Sequence, residues 1–324
     1  MKPQVLITNY LSADHLGPLE GLAEIIQGPD DDLTMSRREV LARAAELEGI
    51  INHGELRTDT ELLDAAPKLK IIANLAAGIE NLDPDLLARR GVWATNTPDA
   101  FTEAPADCTL ALLLALARRI AEGDHYIRSG AWSKDGIRQE WWEGSLLSGK
   151  TLGIVGFGRI GQEVARRAEA FGMKIVYYNR SARQDPRSCS LDELVTTADV
   201  ISLHVPLTDQ THHLFDGRRL AQMKPGAFLV NMARGPVVDE AALVQALGQG
   251  RLGGAALDVF EKEPEVHPDL LTIKNVVLVP HIGGATQESR RQARLTCAQN
   301  VAEVLKGNKP ITPVNDIARF QATQ

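Results

Sequence analysis

The chain has little cysteine and no long apolar run, and each shortage removes a class of protein. Only Cys108, Cys189 and Cys297 occur in 324 residues, far apart, with no CxxC pair and no histidine at zinc-finger spacing. A disulfide framework and a metal site are therefore not expected, and each thiol reads as a small buried apolar residue. The longest apolar stretch, Leu110 to Ala117, is too short to span a bilayer. Met1 to Asn9 lacks the apolar core and cleavage site of a signal peptide, so no membrane partner and a cytoplasmic location are expected. Charge of one sign is not concentrated either. A formal net charge of -7 argues against a nucleic-acid partner while leaving room for a local basic pocket.

What is there is an ordinary folded composition, 44% hydrophobic and 24% charged, in a chain long enough for two cores. Val5 to Ile7, Glu24 to Gln27, Gly49 to Asn52, Lys70 to Leu75 and Val92 to Thr95 read as strands. Between them, Arg38 to Leu47, Thr58 to Ala66 and Pro84 to Arg90 read as helices. Such alternation implies a parallel sheet covered on both faces, because parallel neighbours need crossover connections. From Phe101 to about Gly130 the pattern becomes one long helix, and Trp132 to Ser148 is irregular. A second alternating series then runs through Thr151 to Val155, Lys174 to Tyr178, Val200 to His204, Ala227 to Asn231, Gly254 to Leu257 and Val276 to Val279. After Pro280, one helix, Gln287 to Leu305, is too little for a further domain. The expected fold is α/β, with two doubly wound parallel-sheet, Rossmann-like domains. Residues 1–100 and 287–324 form a discontinuous substrate domain, and residues 101–286 form the dinucleotide-binding domain.

Gly156, Gly158 and Gly161 fit GxGxxG directly after an apolar strand and at the opening of a helix. In that context the glycines permit a tight turn, close approach of backbone to a pyrophosphate, and packing of helix on strand. A purely structural turn is the alternative. About twenty residues on, where an acid holds the ribose hydroxyl of NAD, the sequence reads Asn179, Arg180, Ser181, Ala182, Arg183. Asn179 is not an acid, and Arg180, Ser181 and Arg183 suit the extra phosphate of NADP. A solvated basic loop would leave that preference open.

Five ordered segments then carry a resemblance: Asn74 to Asp83, Gly149 to Gly161, Asn231 to Gly235, Leu257 to Pro264 and Pro280 to Thr286. Along almost its whole length the chain resembles the D-isomer-specific 2-hydroxyacid dehydrogenase family, especially its glyoxylate/hydroxypyruvate reductase branch, which includes 2-ketogluconate reductase-like members. Reducing a 2-oxo acid requires a cation for the carboxylate and carbonyl, a proton for the developing alkoxide, and a hydride donor. Arg234 after one strand supplies the cation, His281 after another supplies the proton, and Glu263 orients His281 and favours its protonated form. The resemblance implies the same three catalytic residues. It also implies that N–H groups around Ala76, Ala77 and Gly78 grip the substrate carboxylate, and that the cofactor contacts extend to Arg159, Ile160, Pro206, Ala233, Asp258 and Gly283. Thr102 is a secondary candidate beside the nicotinamide. Trp141 and Trp142 either wall the substrate pocket, of this subunit or a neighbour, or pack under the long helix. His204, His212 and His213 read as structural or as neighbours of the cofactor.

The expected activity is NADP(H)-dependent reduction of glyoxylate, hydroxypyruvate or a related acid such as 2-ketogluconate to the D-2-hydroxy acid, by a homodimer. An NAD-linked enzyme and a nucleotide-sensing protein without catalysis are the alternatives. Formate dehydrogenases of the superfamily carry Gln at the place of Glu263, and a binding protein has no use for a proton donor and its carboxylate.

Overall fold

The structure is a computed structural model describing residues 1–28, 34–137, 139–181 and 184–318. The chain divides into two compact units, one of residues 1–101 and 285–324 and the other of residues 102–284.

The first unit is built on five parallel strands: β1 (Gln4–Ile7), β2 (Glu24–Gln27), β3 (Leu47–Asn52), β4 (Ile71–Asn74) and β5 (Trp93–Thr95), in the order β2-β1-β3-β4-β5. Side chains alternate across each strand, and both faces are apolar. Leu6, Ile50 and Ile72 pack with Val40, Leu62, Leu63 and Leu87 from the helices on one side. Val5, Ile7, Ile51, Ile71 and Ala73 pack on the other side against Ala293, Cys297, Ala298 and Val301 of the helix Gln287–Leu305. The final helix thus completes the first core, and that domain is discontinuous, as its leftover length suggests. The helix begins at Thr286, whose hydroxyl accepts the Ser289 amide at 3.1 Å, an N-cap that fixes the start.

The second unit carries six parallel strands: β6 (Thr151–Val155), β7 (Lys174–Tyr178), β8 (Val200–Leu203), β9 (Phe228–Asn231), β10 (Gly254–Leu257) and β11 (Val276–Leu278). Their order is β11-β10-β9-β8-β6-β7, all in parallel register. The order reverses between β6 and β8, and ligands of open α/β sheets bind outside the carboxyl ends at such a switch. The helix Glu103–Ala117 is apolar on nearly every side because it is a core helix. Leu110, Leu112, Leu113 and Leu116 join Leu152, Ile154 and Val230 in one cluster.

Three sequence expectations need correction. The long helix is two helices, Glu103–Ala117 and Ile120–Arg128, broken where Arg119 takes a left-handed φ of 54°. No glycine or proline marks the break. Ser145, arriving from far along the chain, donates its amide to the Ala117 carbonyl at 2.7 Å, and Arg119 folds back to Glu122 at 2.8 and 2.9 Å. The stretch read as irregular holds a short helix, Ala131–Asp135, and a 3-10 turn, Gln139–Trp142. Cys297 is buried, as expected, but Cys108 and Cys189 are only half-buried.

Candidate active site

The glycine loop lies at the switch between β6 and β8. Gly156 has φ 97°, and a Cβ there would stand 2.4 Å from the His204 carbonyl oxygen, so a side chain is excluded on both counts. A Cβ on Gly161 would meet the Gly156 carbonyl oxygen at 2.2 Å, which closes the helix onto the strand. Gly158 differs, since a Cβ there would meet nothing within 4 Å. It is the N-cap of the helix Arg159–Ala170, and no side chain caps that end. Open space above an uncapped helix N-terminus is what a dinucleotide pyrophosphate requires, so the residues present fit that group. Ile160 packs into the core and offers only its backbone.

At the end of β7, Asn179 Nδ2 donates to the Ser181 carbonyl at 3.5 Å, while Arg180 and Ser181 are exposed. Arg180 reaches Gln210 Oε1 at 3.5 Å. Arg183 lies outside the described residues. Beyond β8, the Pro206 carbonyl is tied by the Thr211 hydroxyl at 2.6 Å. His204 is bonded to Ser202 at 2.7 Å, and burial pushes its pKa down to about 3, so its ring is neutral at pH 7.

Arg234, Glu263 and His281 sit on the loops after β9, β10 and β11, all at the edge that carries the glycine loop. Asn231 Oδ1 accepts the Ala233 amide at 3.1 Å, and its Nδ2 donates to the Arg234 carbonyl at 3.0 Å, which shapes the first loop. Gly235 locks this loop to the next, because a Cβ would stand 1.8 Å from the Phe260 carbonyl oxygen. Glu263 Oε1 accepts the Phe260 amide at 3.0 Å, and Oε2 lies 2.8 Å from His281 Nδ1. The hydrogen bond to Glu263 raises the His281 pKa, and the charges of Glu263 and Asp258 add to it against burial and Arg234. Burial raises the Glu263 pKa, yet the bonds from His281 and the Phe260 amide, with the His281 and Arg234 charges, hold it below its ordinary value.

His281 has φ 52°, a conformation that costs a β-carbon residue free energy and persists only when its surroundings hold it. Asp258 does so. Its carbonyl accepts the His281 amide, and its carboxylate oxygens accept the Ile282 and Gly283 amides at 2.6 and 2.9 Å. Gly283 is required here, since a Cβ would press on Asp258 Oδ2 and Met232 at 2.7 Å. This clamp is not readable in the sequence, where Asp258 stands only as a neighbour of the nicotinamide. Farther back, the Glu261 carboxylate bonds His213 and accepts the Glu240 amide, while the carboxylate of buried Glu240 accepts the Glu261 amide, bracing the Glu263 loop.

In the first unit, the carbonyls of Ala76, Ala77 and Gly78 are taken by Thr97 N, Asn96 Nδ2 and Asn74 Nδ2 at 2.9, 2.7 and 3.4 Å. Their half-buried N–H groups have no acceptor among the described residues. Asn52, Asn74 and Asn81 hold the loop from below through carboxamide bonds of 3.1 and 2.7 Å. Thr102 is the N-cap residue of the helix Glu103–Ala117. Trp142 packs on Tyr126 with centroids 5.1 Å apart and under Arg119 at 5.3 Å, which accounts for it as packing of the helix Ile120–Arg128; the Trp141 side chain lies outside the description.

Comparison with known proteins agrees with this architecture. Residues 110–283 match the D-isomer specific 2-hydroxyacid dehydrogenase, NAD binding domain. Glyoxylate reductase of Thermococcus litoralis is 44% identical, with 97% of each chain covered, and that of Pyrococcus furiosus is 42% identical over 97% of this chain and 96% of the other. A solved structure from Thermus thermophilus superposes with a TM-score of 0.89 at 43% identity, covering 96% of this chain and 99% of that one. The NADPH-dependent glyoxylate/hydroxypyruvate reductase of Sinorhizobium meliloti, solved with NADP and malonate, gives 0.86 at 33% identity and 97% of both chains. The chain belongs to the D-isomer specific 2-hydroxyacid dehydrogenase family.

Proposed function

We propose that the protein is an NADP(H)-dependent glyoxylate and hydroxypyruvate reductase that yields the D-2-hydroxy acid. The observation that carries this reading is the 2.8 Å pair of His281 and Glu263 on the sheet edge that holds the glycine loop. When bound, the nicotinamide supplies the hydride. His281, held by Glu263 through Nδ1, presents Nε2 as the donor of the proton that the developing alkoxide takes. Arg234 balances the substrate carboxylate and polarises the carbonyl, and the amides of Ala76, Ala77 and Gly78 take the carboxylate oxygens. The Ala233 and Gly283 backbones join Gly156, Gly158, Arg159, Ile160 and Gly161 in holding the cofactor.

Preference for NADP rests on Asn179, which brings no carboxylate to repel a phosphate, and on exposed Arg180 and Ser181 beside it. The Thermococcus and Pyrococcus relatives are glyoxylate reductases, and the Sinorhizobium one was solved with NADP. Exposed Ile120, Ile127, Trp132, Ile137 and Leu146 gather on the segment after the core helix, and we assign this face to a homodimer contact. Three free cysteines suit the reducing cytoplasm, where we place the enzyme.

Steady-state reduction of glyoxylate and hydroxypyruvate with NADPH and NADH in parallel tests the reading. Turnover with a clear NADPH preference is expected. Equal use of NADH would remove the phosphate-binding role of Arg180, and no turnover with either cofactor would overturn the activity.

A further inference from the structure

At the carboxyl edge of the first sheet stands an imidazole that lacks a partner. His53 follows β3 directly, and its Nδ1 is sealed from solvent without a hydrogen bond. Nε2 has no protein partner among the described residues either, but it is open to solvent. Buried polar atoms are nearly always paired; His204 Nδ1 is sealed and unpaired in the same way, but His204 Nε2 is bonded to Ser202, whereas neither nitrogen of His53 has a partner among the described residues. An unpaired buried lone pair is tolerated better than an unpaired N–H, which leaves Nδ1 unprotonated and puts the proton on Nε2. Burial first, then the charges of Arg294 and Arg290, push the ring's pKa down to about 4, so it is neutral at pH 7.

The position of His53 is that of a ligand-binding residue. In the order β2-β1-β3-β4-β5 the chain reverses direction between β1 and β3, and His53 closes β3 at that switch. Asn52 pairs in register with Asn74, and Asn52 Oδ1 accepts the Gly54 amide at 3.1 Å. The asparagine set therefore fixes the His53 loop and the Ala76–Gly78 loop as one piece. A Cβ on Gly54 would stand 3.7 Å from Ala76 Cβ.

The arginines arrive by helix geometry. Val301 lies over Gly49, and Cys297 Sγ donates to the Asn74 carbonyl at 3.2 Å. The helix thus runs antiparallel to the strands, and its same face continues through Arg294 and Arg290 toward the carboxyl edge. Two cations beside a neutral imidazole favour an anionic ligand carrying a hydrogen-bond acceptor.

We propose that His53 determines specificity by donating from Nε2 to the C3 hydroxyl of a 2-oxo acid whose carboxylate is held by the Ala76–Gly78 amides. The proposal rests on the reductase reading above and narrows its substrate to hydroxypyruvate over pyruvate, which has the same skeleton without the hydroxyl. Its test is the ratio of kcat/KM for hydroxypyruvate to that for pyruvate. His53→Leu lowers this ratio by about tenfold or more, whereas His53→Gln, which keeps a donor near the Nε2 position, retains most of it. A ratio in His53→Leu equal to that of the wild type, even if both acids turn over more slowly, overturns the proposal, as does a wild type that does not distinguish the two acids. Glyoxylate has no C3 hydroxyl, so its reduction by the wild type reports separately on the reductase reading.

Discussion

Asp258 holds His281 by the main chain, its carbonyl accepting the His281 amide at 2.9 Å while its carboxylate takes the amides of the two following residues. Asp258→Ala strips acceptors from the Ile282 and Gly283 amides and loosens the turn that aims the imidazole. Misplacement of a reacting group by about 1 Å costs about a hundredfold in rate. We expect kcat to fall by about ten- to a hundredfold with the cofactor KM little changed. A rise confined to the cofactor KM would instead assign Asp258 to the nicotinamide.

His281→Gln should lower turnover by about 10² to 10⁴, the range of general acid catalysis. In the wild type the bond to Glu263 raises the His281 pKa above 6.5. With His281 as the proposed proton donor, reduction should decline as pH rises through that raised value. Oxidation of the hydroxy acid declines as pH falls through it. Glu263→Gln removes the largest raising influence, so the reduction limb moves to lower pH. A pH–rate profile for each variant decides the assignment.

Gly235→Ala should not be tolerated. The added methyl would stand 1.8 Å from the Phe260 carbonyl oxygen, and backbone on both sides leaves nothing flexible to yield. Overpacking of this kind costs typically about 1–3 kcal/mol and more where backbone must shift. Thermal unfolding should show a lower Tm together with lost activity, since the two loops so joined carry Arg234 and Glu263.

Acid should destabilise the fold earlier than carboxylates alone would suggest. His204 and His53 have pKa values lowered to about 3 and about 4, both by burial first. Between those values and about 6.5 the unfolded chain binds more protons than the native one, so stability is full above about 6.5 and declines as pH falls. Each ring contributes a slope of about 1.4 kcal/mol per pH unit while it is neutral only in the native state. His204→Asn should flatten the decline seen in denaturant titrations from pH 7 to 5.

The sequence was most legible where burial dictates residue type. The central strands of both sheets are apolar on both faces, and their runs of Val, Ile and Leu stand out; the helix Gln287–Leu305 has a threonine cap at its start. Arg234, Glu263 and His281 stand out in the sequence because each is a reactive residue placed just beyond a strand or on a motif, and the fold brings Glu263 and His281 to 2.8 Å. The break at Arg119 could not be, since the atoms that stop the helix belong to Ser145. Nor could the Asp258 clamp or the asparagine set, whose members are ordinary polar residues until strands distant in sequence lie side by side. His53 carried no motif at all and emerged only as a sealed, unpartnered nitrogen.

The helix Gln287–Leu305 also sets an order of assembly. During synthesis, strands β1 to β5 emerge first with Leu11 and Leu19, yet the face formed by Val5, Ile7, Ile51 and Ile71 lacks its long helix until Cys297, Ala298 and Val301 have been made. Residues 102–284 meanwhile hold all they need for their own core. On the ribosome the second unit can therefore finish folding before the first, one face of whose sheet waits about two hundred residues for its long helix and is open to misassociation meanwhile.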